Sequence, residues 1–256
     1  MSDLFERISA LKQRWAGGES VFNAWLSLPD PLVAEIISRN GWETVTLDMQ
    51  HGLIELTDLP KMLQAVGNSG AVPLVRVPWN EPGVIMKALD AGAAGIIAPM
   101  INSAAEAQAF ASACRYPPRG TRSYGPIRAG LQAPSYALTS NEQVMAFAMI
   151  ETREAYEALA EIIGTDVIDG VLICPSDLSL SLGFEPGRDP DEQEVLQAIR
   201  EIKITAEAAG KLTAIYTITA PAAIEAASDG FSIVVGCNDG ALVTEGARSR
   251  LTAIKR

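Results

Sequence analysis

Histidine is almost missing from this chain: His51 is the only one in 256 residues, so any imidazole chemistry rests on that residue. Cysteine is nearly as scarce. Cys114, Cys174 and Cys237 are odd in number and widely spaced, which fits neither a disulfide framework nor a CxxC metal site and favours a reducing cytoplasm. Positive charge is in short supply as well, with 20 Lys and Arg against 31 Asp and Glu and a formal charge of −11. Basic residues form no block, which argues against nucleic acid and leaves a small-molecule ligand as the better partner. No apolar run approaches the roughly 20 residues a membrane span requires. The opening MSDLFERISALKQRW reads as an amphipathic, mixed-charge helix rather than a signal peptide. No Pro/Gly/Ser-rich linker divides the chain, so residues 1–256 read as one domain.

Short apolar runs are abundant. Eight of them, rich in Val, Ile and Leu, are followed by polar loops and stretches with helical spacing. They run from Val21 to Leu26, Thr44 to Asp48, Pro73 to Val77, Gly95 to Pro99, Ala146 to Glu151, Gly170 to Cys174, Thr213 to Thr217 and Ile233 to Gly236. Helices are predicted between them, over Pro31 to Asn40, Leu56 to Asn68, Gly83 to Ala91, Ala104 to Cys114, Arg153 to Ile163, Asp191 to Ala209 and Pro221 to Ser228. Eight such alternations predict an α/β fold, a single (β/α)8 TIM-type barrel, rather than an open doubly wound sheet. The longest loop, Arg115 to Ser140, carries PPRGTRSYGP and is expected to cover or line a site.

In such a barrel the chemistry gathers where the strands finish. Glu151 and Asp177, at the ends of the fifth and sixth strands, can converge on one point. Oxygen-only ligation of that kind suits Mg²⁺ or Mn²⁺, although either acid could instead cap a helix. His51 lies in TLDMQHG, three residues after Asp48, a carboxylate able to fix its tautomer as a general base requires; a surface histidine is the plainer alternative. Arg76 ends the third strand and needs an anionic partner, either a substrate oxyanion or one of the acids. All six lysines lie on helices or, for Lys211, just before a strand, which disfavours Schiff-base chemistry.

Taken in order along the chain, AWLSLPDPLVAEIISRNGWETVTLDMQHG, VPLVRVPWNEPGVIMKALDAGAAGIIAPM, RYPPRGTRSYGP, MIETREA and DGVLICPSDLSLSLG resemble the HpcH/HpaI family of metal-dependent pyruvate aldolases over nearly the whole length. The resemblance implies a barrel whose last helix is exchanged between subunits, in a homohexamer built as a dimer of trimers. It implies reversible aldol cleavage of 4-hydroxy-2-keto acids, with pyruvate or hydroxypyruvate as enolate donor and an aldehyde as acceptor. Glu151 and Asp177 match the metal ligands, His51 the catalytic base and Asp48 its partner. Arg76 matches the residue that holds the keto oxygen, and the backbone N–H groups of Ser176 and Asp177 would receive the donor carboxylate. Asp90 matches an acid contributed by a neighbouring subunit, while Trp25, Tyr216 and the Ser123 to Arg128 loop would shape the aldehyde pocket. Mg²⁺ or Mn²⁺ is the expected cation, with Co²⁺ and Zn²⁺ as further candidates. Gln50 and Met149 depart from relatives that carry Glu and Gln there. Two alternatives stand beside this reading: an acyl-CoA or citrate-lyase-like branch of the superfamily, and a keto-acid-binding barrel without catalysis.

Overall fold

The computed structural model describes residues 3–165, 167–187 and 190–255. Eight parallel strands pair in sequence order and the eighth returns to the first, closing the barrel. They are β1 (Val21–Leu26), β2 (Thr44–Asp48), β3 (Val72–Arg76), β4 (Gly95–Ala98), β5 (Met145–Ile150), β6 (Gly170–Ile173), β7 (Leu212–Tyr216) and β8 (Ile233–Asn238). Every expected strand is present, β1 and β2 with the expected bounds and the others with ends shifted by one or two residues. Among the described residues there are thirteen helices. The first seven are α1 (Leu4–Ala16), α2 (Pro31–Ser38), α3 (Leu59–Gly67), α4 (Pro82–Asp90), α5 (Ala104–Cys114), α6 (Ala129–Gln132) and α7 (Tyr136–Gln143). The rest are α8 (Arg153–Glu157), α9 (Leu159–Ile163), α10 (Pro175–Leu182), α11 (Gln193–Ala208), α12 (Ala220–Ser228) and α13 (Asp239–Ile254).

Alternation along each strand sorts side chains between the barrel interior and the helical ring. Asn23 and Trp25 from β1, Thr46 from β2, Leu74 from β3, Ile97 from β4, Phe147 from β5, Leu172 from β6 and Ala214 from β7 line the closed interior. Stepping two residues onward from this packed layer leads to Asp48, Arg76, Cys174 and Tyr216, and four residues onward from Phe147 leads to Glu151. The mouth of the barrel is therefore built from positions of the same parity as its core.

At the opposite mouth, α1 is started by a capping box in which Asp3 and Glu6 exchange backbone hydrogen bonds. It lies across the strand starts. Arg7 donates to the Ala71 carbonyl at 2.8 Å, Trp15 to that of Ser232 at 2.9 Å, and the Phe5 ring stacks on Tyr136 at 5.2 Å. The long loop after α5 belongs to this end too, because a segment joining a helix to the next strand sits where strands begin. It folds into α6 and α7, and within its own chain it does not reach the strand-end mouth. The expectation that it covers the site is corrected to that extent.

The last helix is unlike the others. From Leu242 onward α13 is exposed, including Leu242, Val243, Leu251 and Ile254. The place over β8 and β1 that an eighth helix normally fills is instead an open groove of about 360 Å³ between the turn after α2 and α12, lined by Phe22, Trp42, Ala223 and Ile224.

Candidate active site

At the centre of the strand-end mouth is a buried ion pair. Asp48 and Arg76 are opposite one another in the register of β2 and β3. The guanidinium meets the carboxylate as a fork, Nε to Oδ1 at 2.8 Å and Nη2 to Oδ2 at 2.6 Å. Oδ2 also accepts the Trp25 indole N–H at 3.2 Å, and Oδ1 accepts the backbone N–H groups of Gln50 at 3.0 Å and His51 at 3.4 Å. Burial alone would raise the Asp48 carboxyl, but the hydrogen bonds and charge of Arg76 outweigh it and hold the group below its ordinary range. The same partner keeps the buried Arg76 guanidinium above its own, against desolvation. Trp25 underlies the pair, with Arg76 4.8 Å from its ring centroid and the Tyr216 ring meeting it edge-on at 5.1 Å.

Two sequence expectations change here. Asp48 is not the side-chain partner of His51: Arg76, drawn in by strand pairing, takes both of its oxygens, and His51 meets it only through the backbone. The imidazole is exposed at the rim and has no hydrogen-bond partner among the described residues. Trp25 is only 1% exposed, so it braces Asp48 and Arg76 from below rather than walling an aldehyde pocket. The glycine after His51 has a steric cause. A Cβ on Gly52 would lie 2.2 Å from the Asp48 carbonyl oxygen, so only glycine lets the loop turn back this tightly.

Beside the pair lies a group of acids. Glu151, Cys174 and Asp177 each offer a ligand atom, and these three atoms lie within 4.8 Å of one another. Glu151 is 3% exposed, and the one hydrogen bond its carboxylate accepts among the described residues comes from the Met100 N–H at 2.8 Å. Met100 aims that N–H from a left-handed backbone with φ 56°, a conformation costing a non-glycine residue about 1 kcal/mol or more. Desolvation, with the nearby charge of Asp177, pushes the Glu151 carboxyl up to about 7 despite the Met100 hydrogen bond and Arg76. A buried carboxylate with a second acid beside it and little hydrogen bonding is a site that a cation would neutralise, so these donors fit a divalent ion.

Asp177 and Ser176 occupy the first turn of α10, just after Pro175. Their N–H groups have no partner within the helix and carry its positive dipole end, which suits a carboxylate. Ser176 is half-buried and its hydroxyl donates to the Gly187 carbonyl at 3.2 Å. Asp90 is elsewhere. It ends α4 at the strand-start mouth and pairs with the buried Arg122 at 2.7 Å, so it cannot serve the site of its own chain. Gln50 leaves Oε1 buried without a hydrogen-bond partner, and Met149 is buried in the barrel between Phe147 and Glu151. Sequence reasoning passed over Cys174, although its place two residues after the inward Leu172 puts it in the mouth.

A family model described as HpcH/HpaI aldolase/citrate lyase matches residues 22–245. The chain belongs to the HpcH/HpaI family. It is 45% identical over 235 residues, 91% of its length and 94% of the relative's, to a hydroxypyruvate/pyruvate aldolase of Rhizorhabdus wittichii. It is 33% identical to a 4-hydroxy-2-oxo-heptane-1,7-dioate aldolase of Salmonella paratyphi C, covering 94% of this chain and 92% of that one. A solved HpcH/HpaI aldolase/citrate lyase family protein from Burkholderia cenocepacia superposes with a TM-score of 0.90 at 26% identity, covering 96% of this chain and 99% of that one. The family assignment and the barrel agree with what the motifs implied.

Proposed function

We propose that this HpcH/HpaI protein is a divalent-cation-dependent aldolase that cleaves and forms 4-hydroxy-2-keto acids, with pyruvate or hydroxypyruvate as donor and an aldehyde as acceptor. One observation carries the reading: the carboxylates of Glu151 and Asp177 converge beside a guanidinium clamped by Asp48. Glu151 and Asp177 would hold the cation, with Mg²⁺ or Mn²⁺ suited to the carboxylate pair. When bound, such an ion supplies Lewis-acid polarisation of a chelated 2-keto acid and so acidifies its C3 hydrogen.

The chain's own residues do the rest. The first-turn N–H groups of Ser176 and Asp177 receive the donor carboxylate, which fixes its orientation. Arg76 faces the keto oxygen with its charge already in place, because Asp48 and Trp25 hold the guanidinium before the donor arrives. His51 stands at the rim, free to move a proton between the donor's C3 and solvent. Its orienting acid is not Asp48. Asp90 of a neighbouring copy is the candidate, since Asp90 lies at the wrong mouth to act in its own chain. Tyr216 borders the acceptor side.

That role requires an assembly. The exposed apolar face of α13 and the open groove over β8 and β1 are complementary, and we assign them to helix exchange within a homohexamer. Small molecules and copies of itself are the partners this reading calls for, and three free cysteines suit a reducing cytoplasm. Replacing His51 with Ala is expected to slow C3 hydrogen exchange of the donor by about 100-fold or more, the usual range for a positioned base. Exchange at the parental rate would remove His51 from the mechanism.

A further inference from the structure

We propose that Cys174 is a third protein donor to the cation held by Glu151 and Asp177, and that its sulfur tilts the site away from Mg²⁺ toward the softer ions Co²⁺ and Zn²⁺. This rests on the metal-dependent reading above and adds to it a ligand and a selectivity.

Three observations point to the thiol. Cys174 follows Leu172 by two residues, and Leu172 lines the barrel interior, so strand parity directs the sulfur into the mouth rather than the helical ring. Its Sγ lies within 4.8 Å of an oxygen of Glu151 and of Asp177, and those oxygens are within the same distance of each other. Ligand bonds of about 2.0 to 2.3 Å set donors some 3 to 4 Å apart around one ion, so a modest inward movement closes the triangle. The surroundings are also wrong for a merely packed cysteine. The thiol shares one point with the carboxylates of Glu151 and Asp177, whereas an inert cysteine sits among apolar groups.

Cys174 has no disulfide partner, all three cysteines being free. Glu151 meanwhile is a buried carboxyl that accepts a single hydrogen bond among the described residues, from the Met100 N–H. A cation binding here would answer both carboxylates and take the sulfur as thiolate, its proton passing to solvent. Two oxygens alone leave the choice of ion to Mg²⁺ or Mn²⁺. One sulfur added to them favours ions later in the first transition row, where thiolate bonds are stronger.

The test uses Co²⁺ as a visible probe, bound to the full-length protein after chelator treatment. The parental protein is expected to show a thiolate-to-cobalt charge-transfer band in the near ultraviolet beside the visible ligand-field bands. In Cys174→Ala and Cys174→Ser the ultraviolet band should vanish while the ligand-field bands remain, and the serine variant preserves size and polarity should alanine disturb folding. Competition titrations should show Zn²⁺ affinity reduced about 10-fold or more, with Mg²⁺ affinity nearly unchanged. Ligand-field bands without a sulfur band in the parental protein, or an unchanged ratio of Zn²⁺ to Mg²⁺ affinity in the variants, would overturn the assignment of Cys174 and leave the carboxylate pair standing. Failure of the parental protein to bind Co²⁺, Zn²⁺ or Mg²⁺ would overturn the metal-dependent reading itself.

Discussion

Asp48, Arg76 and Glu151 show how much a residue's role depends on neighbours that the sequence does not place beside it. His51 and Asp48 are three residues apart, which suggested a pair. Strand pairing set Arg76 opposite Asp48 instead, and a planar fork is the better match for a carboxylate than a backbone N–H at 3.4 Å. Local spacing is legible in a sequence, whereas the register between two strands is not. Glu151 carries the sharpest consequence at this scale. Its carboxyl is held near 7 when folded, against an ordinary 4.5, so between those values the folded protein keeps a proton that the unfolded chain has lost. Stability of the metal-free protein therefore falls as pH rises from about 4.5 to 7, by up to about 3 kcal/mol at roughly 1.4 kcal/mol per pK unit. Asp48, whose carboxyl is lowered, contributes in the opposite sense and only at more acidic pH. Urea denaturation of chelator-treated protein at pH 5 and pH 8 should show a larger loss for the parental chain than for Glu151→Gln. Parallel losses would mean that Glu151 ionises normally.

Strand positions were readable because buried parallel strands need continuous apolar runs, and helix ends because glycine marks them. At the segment Ala91-Gly92, for example, Gly92 takes φ 106° as the chain leaves α4. The breaks were less visible: the helix expected from Arg153 to Ile163 divides at Ala158 into α8 and α9, and the loop from Arg115 contains α6 and α7. Short helices bury too few residues to impose a period on the sequence. The ties between loops were not legible at all. Asp239, fully buried at the start of α13, accepts the N–H groups of Ser27 at 3.0 Å, Leu28 at 2.9 Å and Gly240 at 2.8 Å. Ser27 in turn accepts the Leu53 N–H at 2.7 Å, so this carboxylate anchors the loop that carries His51. Asp239→Ala should cost about 3 kcal/mol in chemical denaturation, since it leaves buried N–H groups unpaired. A loss below about 0.5 kcal/mol, the range of an ordinary surface change, would show the tie to be dispensable.

At the scale of the whole molecule, one barrel places its donors at one mouth and its long loop, α1 and Asp90 at the other. Asp90 could then reach a strand-end mouth only on another copy, so the role proposed for it would tie activity to assembly. Removal of α13 from Asp239 onward would also remove an anchor, so the cleaner test is Leu242→Asp with Val243→Asp. Sedimentation should show the parental chain as a homohexamer and the double variant as smaller species, while an unchanged assembly would refute helix exchange. The fold and the carboxylate pair were legible from alternation and strand ends. The apolar surface left exposed on α13, on which the proposed helix exchange rests, was not. What remains decisive is whether the chemistry needs the cation. Exchange of the C3 hydrogens of pyruvate with deuterium oxide, followed by nuclear magnetic resonance, isolates the first step from any choice of aldehyde. The account predicts that exchange stops after chelator treatment, returns on adding back a divalent ion, and does not return in Glu151→Gln; exchange that persists in fully metal-free protein would contradict it.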